Sequence, residues 1–341
     1  MKRNLNKLLV LIVCLGFMLS ACSGSKNESA AAKEGFVIGY DIYFVGNSYS
    51  VQMWKEFESG VAKYPKVKEV IYTESAGDVQ RQIANIEDLI TNKVDAMIIT
   101  PNSPTALVPV LTKAQNAGIK VILNGATIEG TSYDALVTVD DLDFGRVGAE
   151  WLVKQLNGKG NIIMLDGLAG ISVSDDRSQG ALNVFNKYPD IKIVAQGFAT
   201  WDYATAKIVV ADMLASNPRI DGVWSQGGAM TQGAIEAFVA AGRPLVPMTG
   251  EDANGFLKLW KKYQPDGFTS IATSKPTWIG LLALEAAIDL LEGKSVPKDN
   301  FLPVPVFTDD ELDKYLRPNL SDSLFANTYL SDDEVKAIFP N

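Results

Sequence analysis

Lys63-Tyr64-Pro65-Lys66-Val67-Lys68 is answered further along the chain by Lys187-Tyr188-Pro189-Asp190-Ile191-Lys192. Working outward, Val94-Asp95-Ala96-Met97 pairs with Ile220-Asp221-Gly222-Val223, Ala117-Gly118 with Ala241-Gly242, and Asn124-Gly125 with Thr249-Gly250. The four pairs share one nearly constant offset of about 125 residues, the mark of an internal repeat. A unit of that size can bury a core of its own. Two similar lobes are therefore expected.

Each repeat reads as α/β. In the first, apolar runs at 36–40, 68–72, 96–99, 120–123 and 135–139 predict strands. Helical spacing at 79–90 and 105–117 predicts helices, and another runs through Met53, Trp54 and Phe57, capped by Asn47 or Ser48. In the second, 161–165 and 191–198 are strands, and a further strand ends at Thr249. Strands alternating with helices imply βαβ units and parallel sheets covered on both faces. A helix at 278–291 follows, with Pro276 before it and Gly293 after it. The proline-rich, acidic tail beyond 297 carries short helices at 309–315 and 331–339 and is expected to pack on a lobe; Ser331-Asp332-Asp333-Glu334 is a capping box. Trp54 and Trp260 sit among apolar neighbours and read as packing.

The first 22 residues set the compartment. Lys2, Arg3 and Lys7 precede an apolar run at 8–19 that is shorter than the roughly 20 residues a membrane span requires. The run closes on Leu19-Ser20-Ala21-Cys22, which makes it a secretory leader. Its ending resembles the lipobox of bacterial lipoproteins, in which the cysteine is lipidated and becomes the mature N-terminus. Cleavage at Ala21 with Cys22 left as an ordinary thiol is the alternative. Residues 23–35 form a flexible tether.

Composition narrows the chemistry. The chain has 341 residues, 47% hydrophobic and 21% charged, as expected of a folded, water-facing body. The formal net charge is −9, and no basic patch argues for nucleic acid. There is no histidine, and the two cysteines, Cys14 and Cys22, both belong to the leader. Ser-His-Asp and Cys-His catalysis, His-ligated zinc and thiolate metal sites are thereby excluded from the body. No cofactor and no metal are expected.

From Phe36 to about Gly293 the chain resembles the ribose-type, sugar-binding group of bacterial solute-binding proteins that feed ABC transporters. The likeness rests on Ile38-Gly39 before Gly46-Asn47-Ser48-Tyr49, on 94–101, on Val139-Asp140-Asp141, on 170–180 with Asp176-Arg177, and on 187–194. It implies a type 1 periplasmic binding protein fold: two doubly wound parallel-sheet lobes joined by a hinge, with the ligand cleft between them. The lobes are expected at 36–140 plus 275–303 and at 141–274 plus 304–341. A sugar or polyol and an ABC permease are the implied partners, with the membrane reached through the lipid anchor.

Carried over by position, the resemblance gives Asn47 and Tyr49 as the first sugar-contact loop, Arg177 as the second lobe's arginine, Trp201 as a stacking aromatic and Glu251 as a hydroxyl-binding carboxylate. Aromatic rings suit the C–H faces of a sugar, and carboxylate or guanidinium suits its hydroxyls. Thr100 replaces the family's asparagine after the third strand, and Ser274 its hinge glutamine; both, with Asp140, are expected among the ligand-binding residues. Gly125-Ala126 stands where ribose binders have Asp-Arg, and Gly227-Gly228 where they have Asn-Asp. These glycines either make room for a bulkier sugar or polyol or leave space for side chains from elsewhere. Gly227 to Gly233 lacks a phosphate-loop ending and reads as a tight turn.

Several residues carry two readings. Arg177 is either a ligand contact or an ion-pair partner of Asp175 or Asp176, and Asp140 and Asp141 serve either hinge or ligand. At least one of Glu251 and Asp252 faces the cleft, with Asn254 as a candidate beside them. Of Tyr43, Phe44 and Tyr49, some stack on ligand and the rest wedge their loop. A sensor passing ligand state to a receptor or histidine kinase is the alternative function. A glycosidase using Glu251 with Asp140 or Asp166 is a rival of another class, since two carboxylates can act as acid and base.

Overall fold

The structure, a computed structural model, describes residues 35–340. The leader, Cys22 and the tether before Gly35 lie outside the described residues. The first repeat folds as β1 (Phe36–Ile42), α1 (Ser48–Val61), β2 (Val67–Glu74), α2 (Val79–Thr91), β3 (Ala96–Thr100), α3 (Val108–Asn116), β4 (Lys120–Asn124) and β5 (Ala135–Val139). The second runs α4 (Asp141–Gln155), β6 (Gly160–Asp166), α5 (Ser172–Phe185), β7 (Ile191–Phe198), α6 (Tyr203–Ser216), β8 (Gly222–Ser225), α7 (Gly228–Ala240), β9 (Met248–Glu251), α8 (Asn254–Tyr263) and β10 (Ser270–Thr273). The chain then returns through α9 (Ile279–Leu291) and β11 (Asp299–Leu302), crosses to β12 (Val306–Phe307), and finishes with α10 (Leu312–Tyr315) and α11 (Asp332–Ile338).

The two sheets have one topology: β2-β1-β3-β4-β5-β11 and β7-β6-β8-β9-β10-β12. The first is parallel throughout, and the second is parallel except for β12 against β10. The repeated sequence thus produces a repeated doubly wound lobe. Side chains alternate across each sheet. Ala96 and Ile98 of β3 join the core under α1 and α9, while Met97 and Ile99 join the one under α2 and α3. Covered on both faces, β3 is buried at every residue, which is why it reads as an unbroken apolar run.

Polar residues past the strands' carboxyl ends start the helices. Asn47, Asp78, Asp140 and Asp202 each accept a backbone N–H as caps of α1, α2, α4 and α6. Of the two candidates for α1, Asn47 is therefore the cap. α3 begins later than its periodicity suggests because Ser103 Oγ accepts from the backbone N–H of Thr105 and Ala106 and holds a turn there. Trp260 is fully buried, and Trp54 packs against Tyr72 with ring centroids 4.1 Å apart.

The chain passes between sheets at Asp140, at 274–278 and at 303–305. The tail makes a further passage: instead of resting on one lobe, it bonds to α1 through Gln52 and Glu56 and to α8 through Asn254 and Lys258. No helix among the described residues is long and apolar enough to cross a membrane.

Two glycines let α4 and α5 touch backbone to backbone. A Cβ at Gly145 would stand 1.8 Å from Arg177 O, and one at Gly180 would stand 2.0 Å from Leu142 O. Gly180→Ala must push the helices apart, which is expected to cost about 1–3 kcal/mol and lower the urea midpoint. An unchanged midpoint contradicts this packing.

Candidate ligand-binding cleft

Loops from the carboxyl ends of both sheets line one cavity, whose empty space is about 660 Å³ when the solvent at its open mouth is included. The first lobe supplies Tyr43, the loop at 47–50, Thr100 and Gly125-Ala126; the second supplies Val173, Arg177, Trp201, Gly227-Gly228 and Glu251. Across the lobes Thr127 N–H donates to Ser172 Oγ at 3.3 Å, so the cleft is held closed at that point.

The helix contact at Gly145 and Gly180 fixes Arg177, which is 2% exposed. Its guanidinium lies 3.5 Å above the Phe144 ring centroid. Nε donates to Asp141 at 2.9 Å, NH1 to Gln226 O at 2.8 Å and NH2 to Glu251 Oε1 at 3.3 Å. Arg177 therefore pairs with Asp141 and Glu251 rather than with Asp175 or Asp176, because α5 turns its buried face toward α4 and β9. Three of its five N–H donors are taken, and the rest remain for another partner. Burial works against its charge, but Glu251 and Asp141 outweigh that and raise its pKa.

Lys275, in the second passage between lobes, extends this network. Its ammonium is 2.7 Å from Asp141 Oδ2 and 2.7 Å from Gly125 O in the other lobe. Burial lowers its pKa, an effect Asp141 partly offsets. Burial raises that of Glu251, partly offset by Arg177 and Lys275. Sequence reasoning passed over Lys275 because an isolated lysine beside a proline carries no motif.

Trp201 faces the cavity from a strained turn, with Thr200 and Trp201 at φ 52 and 53. Such left-handed backbone costs on the order of 1–3 kcal/mol per residue and collects at functional sites. Its ring occupies the space above two glycines: a Cβ would come within 2.2 Å of it at Gly167 and 2.8 Å at Gly227. The two readings of the glycine replacements divide between the sites: Trp201 fills the space at Gly227, whereas a Cβ at Gly125 would meet open space and only the carbonyl there is engaged, by Lys275. The Trp201 indole N–H has no partner among the described residues.

Asn47, Tyr49, Thr100, Arg177, Trp201 and Glu251 all line the cavity, whereas Asp140 and Ser274 do not. The Asp140 carboxylate is spent capping α4, and Ser274, fully buried, receives Asn327 Nδ2 at 3.2 Å. Asn254 is likewise committed to the tail, donating to the carbonyls of Leu320 and Ser321. Asp166 receives Ser178, Gln196 and Gln226. Tyr43 lines the cavity while Phe44 stacks behind it and covers Gly46. The tail contributes Phe325, which nothing in its sequence neighbourhood marks out.

A periplasmic binding protein domain model matches residues 38–295. The chain belongs to that family. It is 30% identical over 302 residues to a xylitol-binding protein of Mycolicibacterium smegmatis, covering 88% of this chain and 84% of that one. It is 26% identical over 313 residues to the ribose import binding protein of Bacillus subtilis, covering 90% and 99%. Among solved structures, the fructose binding periplasmic domain of a hybrid two component system superposes with a TM-score of 0.73 at 28% identity, covering 82% and 92%.

Behind Glu251, fully buried Asp252 is pushed up to about 7 by burial and then by the Glu251 carboxylate. An acid whose folded pKa lies above its unfolded value near about 4 keeps a proton in the native state that the unfolded chain has released. Its contribution to stability is whole below that window and is lost as pH rises through about 7. Asp252→Asn should therefore flatten part of the fall in melting temperature between about pH 4 and pH 7. The same slope in both proteins contradicts this.

Proposed function

We propose that the protein is an extracytoplasmic solute-binding lipoprotein that captures a neutral monosaccharide or related polyol by hinge closure and delivers it to an ABC permease. One observation carries the reading: unspent hydrogen-bonding groups converge on a single cavity between two lobes. They are the free N–H groups of Arg177, Oε2 of Glu251, the indole N–H of Trp201 and Nδ2 of Asn47. Tyr43 and Tyr49 add apolar wall, a mixture that suits a ring or chain with hydroxyls on one side and C–H on the other.

The charges of the cavity wall balance once the partner behind it is included, with Arg177 and Lys275 against Glu251 and the Asp141 that both of them bond. An ionised ligand would find no uncompensated partner, so a neutral one fits. The proposed ligand contacts are Asn47, Tyr49, Thr100, Arg177, Trp201 and Glu251, with Asp140 and Ser274 acting at the hinge. Contacts from both lobes favour closure because the open state lacks half of them. The division into lobes at 36–140 plus 275–303 and 141–274 plus 304–341 draws support from β11 joining the first sheet and β12 the second.

The lipid anchor at Cys22 rests on Leu19-Ser20-Ala21-Cys22. The protein is not an enzyme in this reading: neither Asp140 nor Asp166, the carboxylates considered beside Glu251, lines the cavity. The likeness to a two-component sensor domain supports a second reading, a sugar sensor signalling to a membrane receptor or histidine kinase.

Thermal melts against pentoses, hexoses and polyols test the ligand class. A true ligand at 100 times its Kd adds about 2.7 kcal/mol, and Glu251→Gln should weaken it by about 10–100-fold. Shifts confined to amino acids, nucleosides or metal ions contradict the proposal, as does unchanged affinity in the variant.

A further inference from the structure

We infer that the C-terminal segment is a working part of the binding site, and that Phe325, which it carries into the cleft, contacts the ligand and sets which neutral polyhydroxy compound fits. This rests on the ligand reading above. Phe325 is 5% exposed, lines the cavity and meets Tyr49 edge-on, with ring centroids 5.2 Å apart at 83°. An aromatic tucked away for packing alone would need no more than such a contact.

The backbone around Phe325 is held far more firmly than packing requires. Gln52, fully buried on α1, accepts from Phe325 N–H at 2.8 Å and donates to Phe325 O at 3.0 Å. From the other lobe, Ala253 forms an antiparallel bridge with the same residue. Just beyond that bridge, Ala326 N–H donates to Asp252 O at 3.0 Å and Asn327 N–H to Asp252 Oδ2 at 2.7 Å, and before it Asn254 N–H donates to Leu324 O at 2.7 Å. Glu56 of α1 then receives Thr328 Oγ1 at 2.9 Å and Tyr329 N–H at 2.5 Å.

Buried amide and carboxylate groups are costly unless fully bonded, and here they are used to clamp one residue between two lobes. The clamp gives the ring little freedom to yield. It forms a fixed apolar wall in the cavity that holds Arg177 and Glu251, where one face of a ligand can pack while its hydroxyls reach the charged groups. A wall that cannot retreat limits ligand size, so Phe325 selects as well as binds.

The test is titration calorimetry of the full chain with the same sugars and polyols, comparing wild type with Phe325→Ala. Loss of the wall should weaken the best ligand by about tenfold or more and favour bulkier ligands relative to it. A Kd within about twofold of wild type with an unchanged ranking overturns the inference while leaving the ligand reading intact. A wild type that binds nothing in the panel defeats the ligand reading instead. Should Phe325→Ala fail to melt cooperatively without ligand, Phe325→Leu carries the comparison under the same criteria.

Discussion

The architecture depends on one row of buried charges. From Gly125 O in the first lobe it runs through the Lys275 ammonium to Asp141, then to Arg177 and on to Glu251. Each ion would cost several kcal/mol if buried alone, so no member can be desolvated without its neighbours. Asp141 follows the first passage between lobes and Lys275 lies in the second. The same contacts that make the ions tolerable therefore fix the connecting strands relative to the wall that carries Glu251. The passages between the lobes and the cavity wall are one electrostatic unit.

This unit explains why the polar pattern of the cleft differs from a simple substitution of side chain for side chain. Where the chain has Gly227, Trp201 fills the space; at Gly125, a carbonyl receives Lys275. A Cβ at Gly228 would meet Glu251 O at 2.1 Å, so that glycine is required by the close approach of α7 to β9. Gly227 and Gly228 thus admit groups from distant segments, and Gly125 leaves its side-chain space open.

Local features were legible in the sequence. The repeat at Lys63 and Lys187 announced twin lobes, unbroken apolar runs announced buried parallel strands, and the capping box at Ser331 is formed. Asn47, Arg177, Trp201 and Glu251, the positions carried over from the family resemblance, line one cavity. The resemblance missed where Asp140, Ser274 and Asn254 spend their hydrogen bonds, because capping and tail docking are tertiary choices that residue type leaves open. Lys275 and Phe325 were invisible for a related reason. Their importance comes from segments separated by 150 residues in one case and 273 in the other, and no periodicity spans such distances.

The central claim is that two halves close on a ligand held by groups from both. Small-angle X-ray scattering on the full chain, with and without a saturating compound identified by its thermal shift, tests it most directly. The account predicts a smaller radius of gyration on binding, with a bound profile that fits the closed cleft in which Thr127 meets Ser172. Identical profiles in both conditions, with binding verified in the same sample, would contradict it.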